Sequence, residues 1–205
     1  MRKMFISFDL DGTIVKPDYN ELIWFKEIPM LYAKKHGTDI GKAKKIVMKE
    51  YQKVGEGDLR WYILGYWLKH FGLAAEERNI LEKYAKAVEV YSEAIPVLDE
   101  LRKSYVLVVS SAMPRNFIDV KLRCEALFSY FERIFSAVSD FQMTKKESTF
   151  YNEICHILKI SPSKPSSHPA SLKVSLGGLA SFGVSYSQRV RVDMYLTGER
   201  SFRAL

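Results

Sequence analysis

The stretch MFISFDLDGT, Met4 to Thr13, decides how the rest of the chain is read. Five apolar or small residues form an unbroken, β-compatible run, and two carboxylates two positions apart follow at its end. Gly12 then permits a sharp exit from the strand. In an open parallel sheet ligands bind beyond the carboxyl ends of the strands, and that is where Asp9 and Asp11 fall. Two acids held together repel one another, and a divalent cation or a shared proton relieves the repulsion. A cation neutralised by one carboxylate leaves the other to act as general acid or base. A turn in which an aspartate caps a helix at Thr13–Val15 is the plainer alternative. An EF-hand calcium loop fits badly: counted from Asp9, the twelfth residue is Asn20 rather than glutamate, and a strand rather than a helix precedes it.

Outward from this stretch the chain alternates between two periodicities. From Asn20 to Tyr91 the pattern is helical. Asp58 is placed to cap a segment with Leu59, Tyr62, Ile63 and Tyr66 on one face, and Ile80, Leu81, Tyr84 and Val88 form another face. AIPVLDELRKS predicts a short helix with Pro96 near its start, leading into YVLVVSS, the strongest strand signal in the chain. A helix over 114–127, a strand over 133–138 and a helix over 146–158 follow. Strands alternating with helices imply an α/β fold, a Rossmann-like, doubly wound parallel sheet. The helical stretch between the first two strands is too long for one crossover and reads as an inserted cap. The domain reading is therefore a core of residues 1–15 and 92–162, a helical insert of 16–91, and an atypical segment from 163 to 205.

Composition narrows the function. The chain has 205 residues, 47% hydrophobic and 13% aromatic, enough for one core domain carrying an insert. No apolar run reaches the ~20 residues of a membrane span, and Met4–Phe8 is too short for a signal peptide. Cys124 and Cys155 lack metal-binding spacing and read as reduced thiols, which predicts a cytoplasmic protein. The net charge of +7 does not mark a nucleic-acid binder, because residues 163–205 carry 6 basic and 2 acidic side chains, more than half of the excess. In KAKKIVMKEYQK the apolar positions Ala43, Val47, Tyr51 and Val54 share one helical face, so the lysines form a solvated one.

DLDGT after a hydrophobic strand resembles the first motif of the haloacid dehalogenase (HAD) superfamily of phosphohydrolases. VLVVSS resembles the second, mapping to Ser110 with Ser111 beside it. TKKESTFYNEICHILKISPS resembles the third, which maps its lysine to Lys145, with Lys146 as the fallback. The helical insert lies where the family's type-1 cap lies, and the resemblance covers residues 4–162. It implies that Asp9 attacks phosphorus, that Asp11 protonates the leaving alcohol and then activates water, and that Ser110, Ser111 and Lys145 hold the phosphoryl oxygens. It further implies Mg2+ on the Asp9 carboxylate and the Asp11 carbonyl, and a small phosphorylated metabolite as substrate. A carboxylate at position 11 favours phosphoryl transfer over dehalogenation, since cleaving a carbon–halogen bond requires no such acid. Without the resemblance, Ser110 and Ser111 are equally a polar strand end, and Lys145 a surface lysine at a helix start.

The family's fourth motif, a strand ending in Gly-Asp that completes the magnesium site, is missing. Its acid is expected near Ala170, yet no aspartate stands between Asp140 and Asp193, and Gly178 ends the one strand-like candidate, LKVSLGG. Nothing in the sequence places Asp193 near Asp9. Serine becomes denser as well, with 9 in the last 43 residues against 10 in the first 162. Two readings follow. Either the chain is a silent phosphate-binding relative, or residues from about 163 are out of frame with the ancestral gene. In favour of the second, codons for Ser175–Val184 read one base later can encode Val-Ser-Arg-Arg-Leu-Gly. RWYILGYWLKHF, Arg60 to Phe71, reads as cap core in preference to a substrate-pocket lining.

Overall fold

The computed structural model describes residues 5–159, together with the backbone of Ser171–Leu172 and Val192–Tyr195. Strand β1 (Phe5–Phe8) is buried on both faces, as its unbroken apolar run requires. A helical insert follows. It comprises α1 (Asp18–Glu21), which continues through a π-helical stretch, Leu22–Glu27, into α2 (Ile28–His36), then α3 (Ile40–Val54), a 3-10 turn at Leu59–Tyr62, α4 (Leu64–His70), α5 (Glu77–Lys83) and a second 3-10 turn at Ala85–Ala87. The chain returns through α6 (Ala94–Leu101) to β2 (Val106–Ser111), α7 (Arg115–Arg123), β3 (Arg133–Ser136), α8 (Ala137–Phe141) and α9 (Ser148–Ile157). Two short strands, β4 (Ser171–Leu172) and β5 (Val192–Tyr195), complete a sheet of order β3-β2-β1-β5-β4.

β1, β2 and β3 run parallel, with Phe8 opposite Val109 and Ser111 opposite Ser136, so their carboxyl ends share one edge. Alternation along β2 divides the core. Leu107 and Val109 join a cluster with Ile6, Phe8, Leu98, Phe117 and Ile118, whereas Val108 joins Phe135, Phe150 and Ile154 on the other face. Helices therefore cover both faces, as expected of a doubly wound sheet. The parallel run stops at β1. Beside it lies β5, antiparallel, with Ser7 opposite Asp193. Nothing in the sequence marks Asp193 for this edge, yet its backbone pairs two residues before Asp9. The expected positions of the fourth motif, Ala170 and Gly178, and the frame-shift reading of Ser175–Val184 lie outside the described residues.

In the insert, α3 exposes Lys42, Lys44, Lys45 and Lys49 and buries Ala43, Val47 and Tyr51, while Asp39 caps it by accepting from the Lys42 N–H at 2.9 Å. The lysines are thus a solvated face. Asp58 does cap the following segment, through the Arg60 N–H at 2.8 Å. The segment, however, is a 3-10 turn succeeded by α4. Ile63, expected on the apolar face, is exposed, and Leu64, Trp67 and Leu68 take the interior. The one-turn mismatch between 3-10 and α-helical spacing rotates the stripe.

Candidate active site

The site grows from the turn after β1. Gly12 takes φ +70°, a left-handed conformation that glycine adopts without strain, and its N–H donates to the Val15 carbonyl at 2.7 Å. The Leu10 carbonyl accepts from the N–H groups of Ile14 and Val15, at 2.9 and 3.0 Å. This tight turn sets Asp9 and Asp11 on the carboxyl edge of the sheet. Among the described residues no backbone N–H donates to the Asp11 carbonyl.

Each carboxylate has its own lysine. Asp9 Oδ1 accepts from the Leu10 N–H at 2.8 Å, and Oδ2 pairs with Lys146 Nζ at 2.6 Å. The same ammonium donates to the Ser110 carbonyl at 3.2 Å, tying the ends of β1 and β2 together. Asp11 Oδ1 accepts from Lys121 Nζ at 2.6 Å and from Asn20 Nδ2 at 3.0 Å. Lys121 is wholly buried. Its ammonium lies 5.7 Å from the Tyr19 ring centroid and 5.9 Å from that of Phe117. Desolvation in this aromatic surround lowers the lysine pKa, and the Asp11 carboxylate opposes the shift. Asp11 Oδ2 and Asn20 Oδ1 are buried without a hydrogen-bond partner among the described residues.

The two serines are buried at the end of β2. Ser110 Oγ accepts from Ser7 Oγ at 2.7 Å, and Ser111 Oγ accepts from the Met113 N–H at 3.1 Å. With Phe8 opposite Val109, Ser110 stands one residue further on, abreast of Asp9. Lys145 is exposed, and the lysine that meets Asp9 is Lys146, the fallback in the sequence. Both precede the first turn of α9, so helical periodicity does not separate them; the path of the loop does.

The sequence reading missed Lys121 and Asn20. A signal for Lys121 exists: it stands four residues after Phe117 and three after Ile118, on the buried stripe of α7. A lysine in that position requires a buried anion. Asn20 carries no such mark.

The Asp9 carboxylate and the Asp11 carbonyl would be the donors to a divalent cation at this edge. Among the described residues no group of three or more acidic, histidine or cysteine side chains stands ready for a metal. This donor set fits Mg2+ in the mode where substrate phosphate and water complete the shell.

A family model described as haloacid dehalogenase-like hydrolase matches residues 4–164. The chain belongs to this family. The GMP/IMP nucleotidases YrfG of Escherichia coli K12 and Shigella flexneri are each 27% identical over 133 residues, 64% of this chain and 58% of theirs. The match thus spans little more than half the length of these curated relatives. A crystal structure of a HAD phosphatase from Thermococcus onnurineus aligns with a TM-score of 0.67 at 23% identity, covering 80% of this chain and 74% of that one. It is a likeness of fold. No helix of this HAD-like hydrolase, among the described residues, is long and apolar enough to cross a membrane.

Proposed function

We propose that this chain is a phosphatase of small phosphorylated metabolites, with a mononucleotide as the first substrate to test. The observation that carries the reading is the pair of carboxylates on one sheet edge, each with a separate lysine. Asp9 attacks phosphorus and forms an aspartyl-phosphate as the ester oxygen departs. Asp11 gives that oxygen its proton and afterwards takes one from the water that hydrolyses the intermediate. Lys146, in the role the sequence assigned to Lys145, balances charge on Asp9 and the transferring group, and Ser110 and Ser111 complete the phosphate pocket. The Asp9 carboxylate and the Asp11 carbonyl would hold Mg2+, which would supply electrostatic stabilisation of the phosphoryl oxygens. The helices of the insert serve as the cap that selects the substrate. The name of the E. coli relative supports GMP and IMP as candidates, and the two free cysteines suit the cytoplasm.

The test is phosphate release from p-nitrophenyl phosphate, GMP and IMP with and without magnesium, run beside Asp9→Asn. Turnover that needs magnesium and disappears in the variant is expected. Equal turnover by both proteins overturns the nucleophile. The second reading, a silent phosphate-binding protein, is favoured by the absence of a third acid among the described residues. Inert wild-type protein that still binds inorganic phosphate would establish it.

A further inference from the structure

Among the described residues Lys121 is the largest charged side chain buried outright, and stability alone does not account for it. A buried ion pair exchanged for apolar residues of similar volume is often neutral or stabilising. The surround of Tyr19 and Phe117 would accept a methionine readily. Among the described residues Asp11 is the only carboxylate within ion-pair distance of the ammonium. That acid is also met from the opposite side of the chain order, by Asn20 of α1, the first helix of the insert.

Both donors go to the same oxygen. Oδ1 accepts from Lys121 and from Asn20, whereas Oδ2 is buried and unpartnered, as is Asn20 Oδ1. Leaving a buried acceptor unsatisfied is costly. Both orphans are acceptors, and the one on Asp11 is free to carry the proton that a general acid needs.

We propose that Lys121 and Asn20 are positioning residues, a two-donor clamp that fixes the Asp11 carboxyl group by Oδ1 and leaves Oδ2 to carry the proton that passes to the leaving ester oxygen and is later taken from the incoming water. The proposal deepens the phosphatase reading and rests on it. Neither residue touches the phosphoryl group. Because one donor comes from α7 and the other from the insert, Asp11 is held correctly only when the insert is seated against the core.

Esters that differ in their need for an acid test this. Butyl phosphate leaves as an alkoxide that requires a proton, whereas p-nitrophenolate leaves without one. Lys121→Met is expected to lower kcat/KM for butyl phosphate by about 100-fold and for p-nitrophenyl phosphate by about 5-fold or less. Asn20→Ala, at a half-buried position, gives the same split in smaller size and serves if Lys121→Met folds poorly. Equal losses on the two esters, or none on either, overturn the clamp. A melting cycle of Asp11→Asn, Lys121→Met and the double variant reads it without activity: breaking the pair lowers Tm by about 10 °C, and the double variant should lose clearly less than the sum of the singles. Additive shifts overturn the clamp. Wild-type protein inert toward both esters overturns the phosphatase reading and the catalytic meaning of the clamp with it, while the melting cycle still decides whether Lys121 holds Asp11.

Discussion

The helical insert and the carboxyl edge of the sheet bury opposite kinds of group. Inside the insert, Tyr51, Trp67 and Phe71 interleave, with ring centroids 4.5 Å apart for Tyr51–Trp67 and 5.6 Å for Trp67–Phe71. Its one buried charged group, Glu27, is met by Lys83 and Tyr84 through Oε2, at 2.7 and 2.6 Å. Along the sheet edge the buried groups are Ser7, Ser110, Ser111, Ser136 and Lys121. Each of these makes a hydrogen bond to a group on another element or in the adjoining turn. Aromatic packing shares its energy over many contacts, so loss of one ring is spread among its neighbours. Loss of one polar partner is not shared, because it leaves a specific atom unsatisfied. The aromatic core of the insert is therefore expected to absorb substitutions with less effect on chemistry than the polar edge.

Substitutions can break or sharpen that contrast. The largest effect is expected from Asp9→Asn, which should cut turnover of p-nitrophenyl phosphate by about 10⁴-fold or more, measured at saturating substrate, with Tm changing by only a few degrees. Trp67→Ala should do the reverse. A wholly buried indole removed from the insert costs about 3–5 kcal/mol of stability in a denaturant titration, while kcat per folded molecule stays near the wild-type value. If kcat collapses at full folding, the insert is part of the chemistry and the contrast fails. Lys146→Ala, at the edge, should lower kcat by about 100-fold, the scale for removing one charge-stabilising donor. Lys145→Ala is the smallest, within about 2-fold, since an exposed lysine removed from a loop leaves nothing unsatisfied. A larger loss from Lys145 than from Lys146 would return the site to the register first read from the sequence.

Much of the site was legible because its signals are local. Asp9 and Asp11 announce themselves by standing at the end of an apolar run and before Gly12, and Ser110 by ending the strongest strand. What was not legible depends on where loops and helix faces meet. Adjacent lysines at 145 and 146 are equivalent until the loop before α9 is traced. The place of Lys121 on the buried stripe of α7 calls for an anion, but only the fold shows that the anion is Asp11. Ile63 lost its expected burial because a 3-10 turn advances the apolar stripe differently from an α-helix. The antiparallel pairing of Asp193 with Ser7 has no sequence mark at all, since strand partners far apart in the chain are chosen by the sheet edge that remains free.

The sequence by itself determined the alternation of strands and helices, the place of the insert and the two carboxylates on the leading strand. Hydrophobic period and turn chemistry act within a few residues, and so they can be read along a line. Only the tertiary structure decided which lysine faces which acid and which oxygen of Asp11 is left open. These depend on distances between residues as far apart in the chain as Asp11 and Lys121, and on a desolvated surround that exists only once the core has closed.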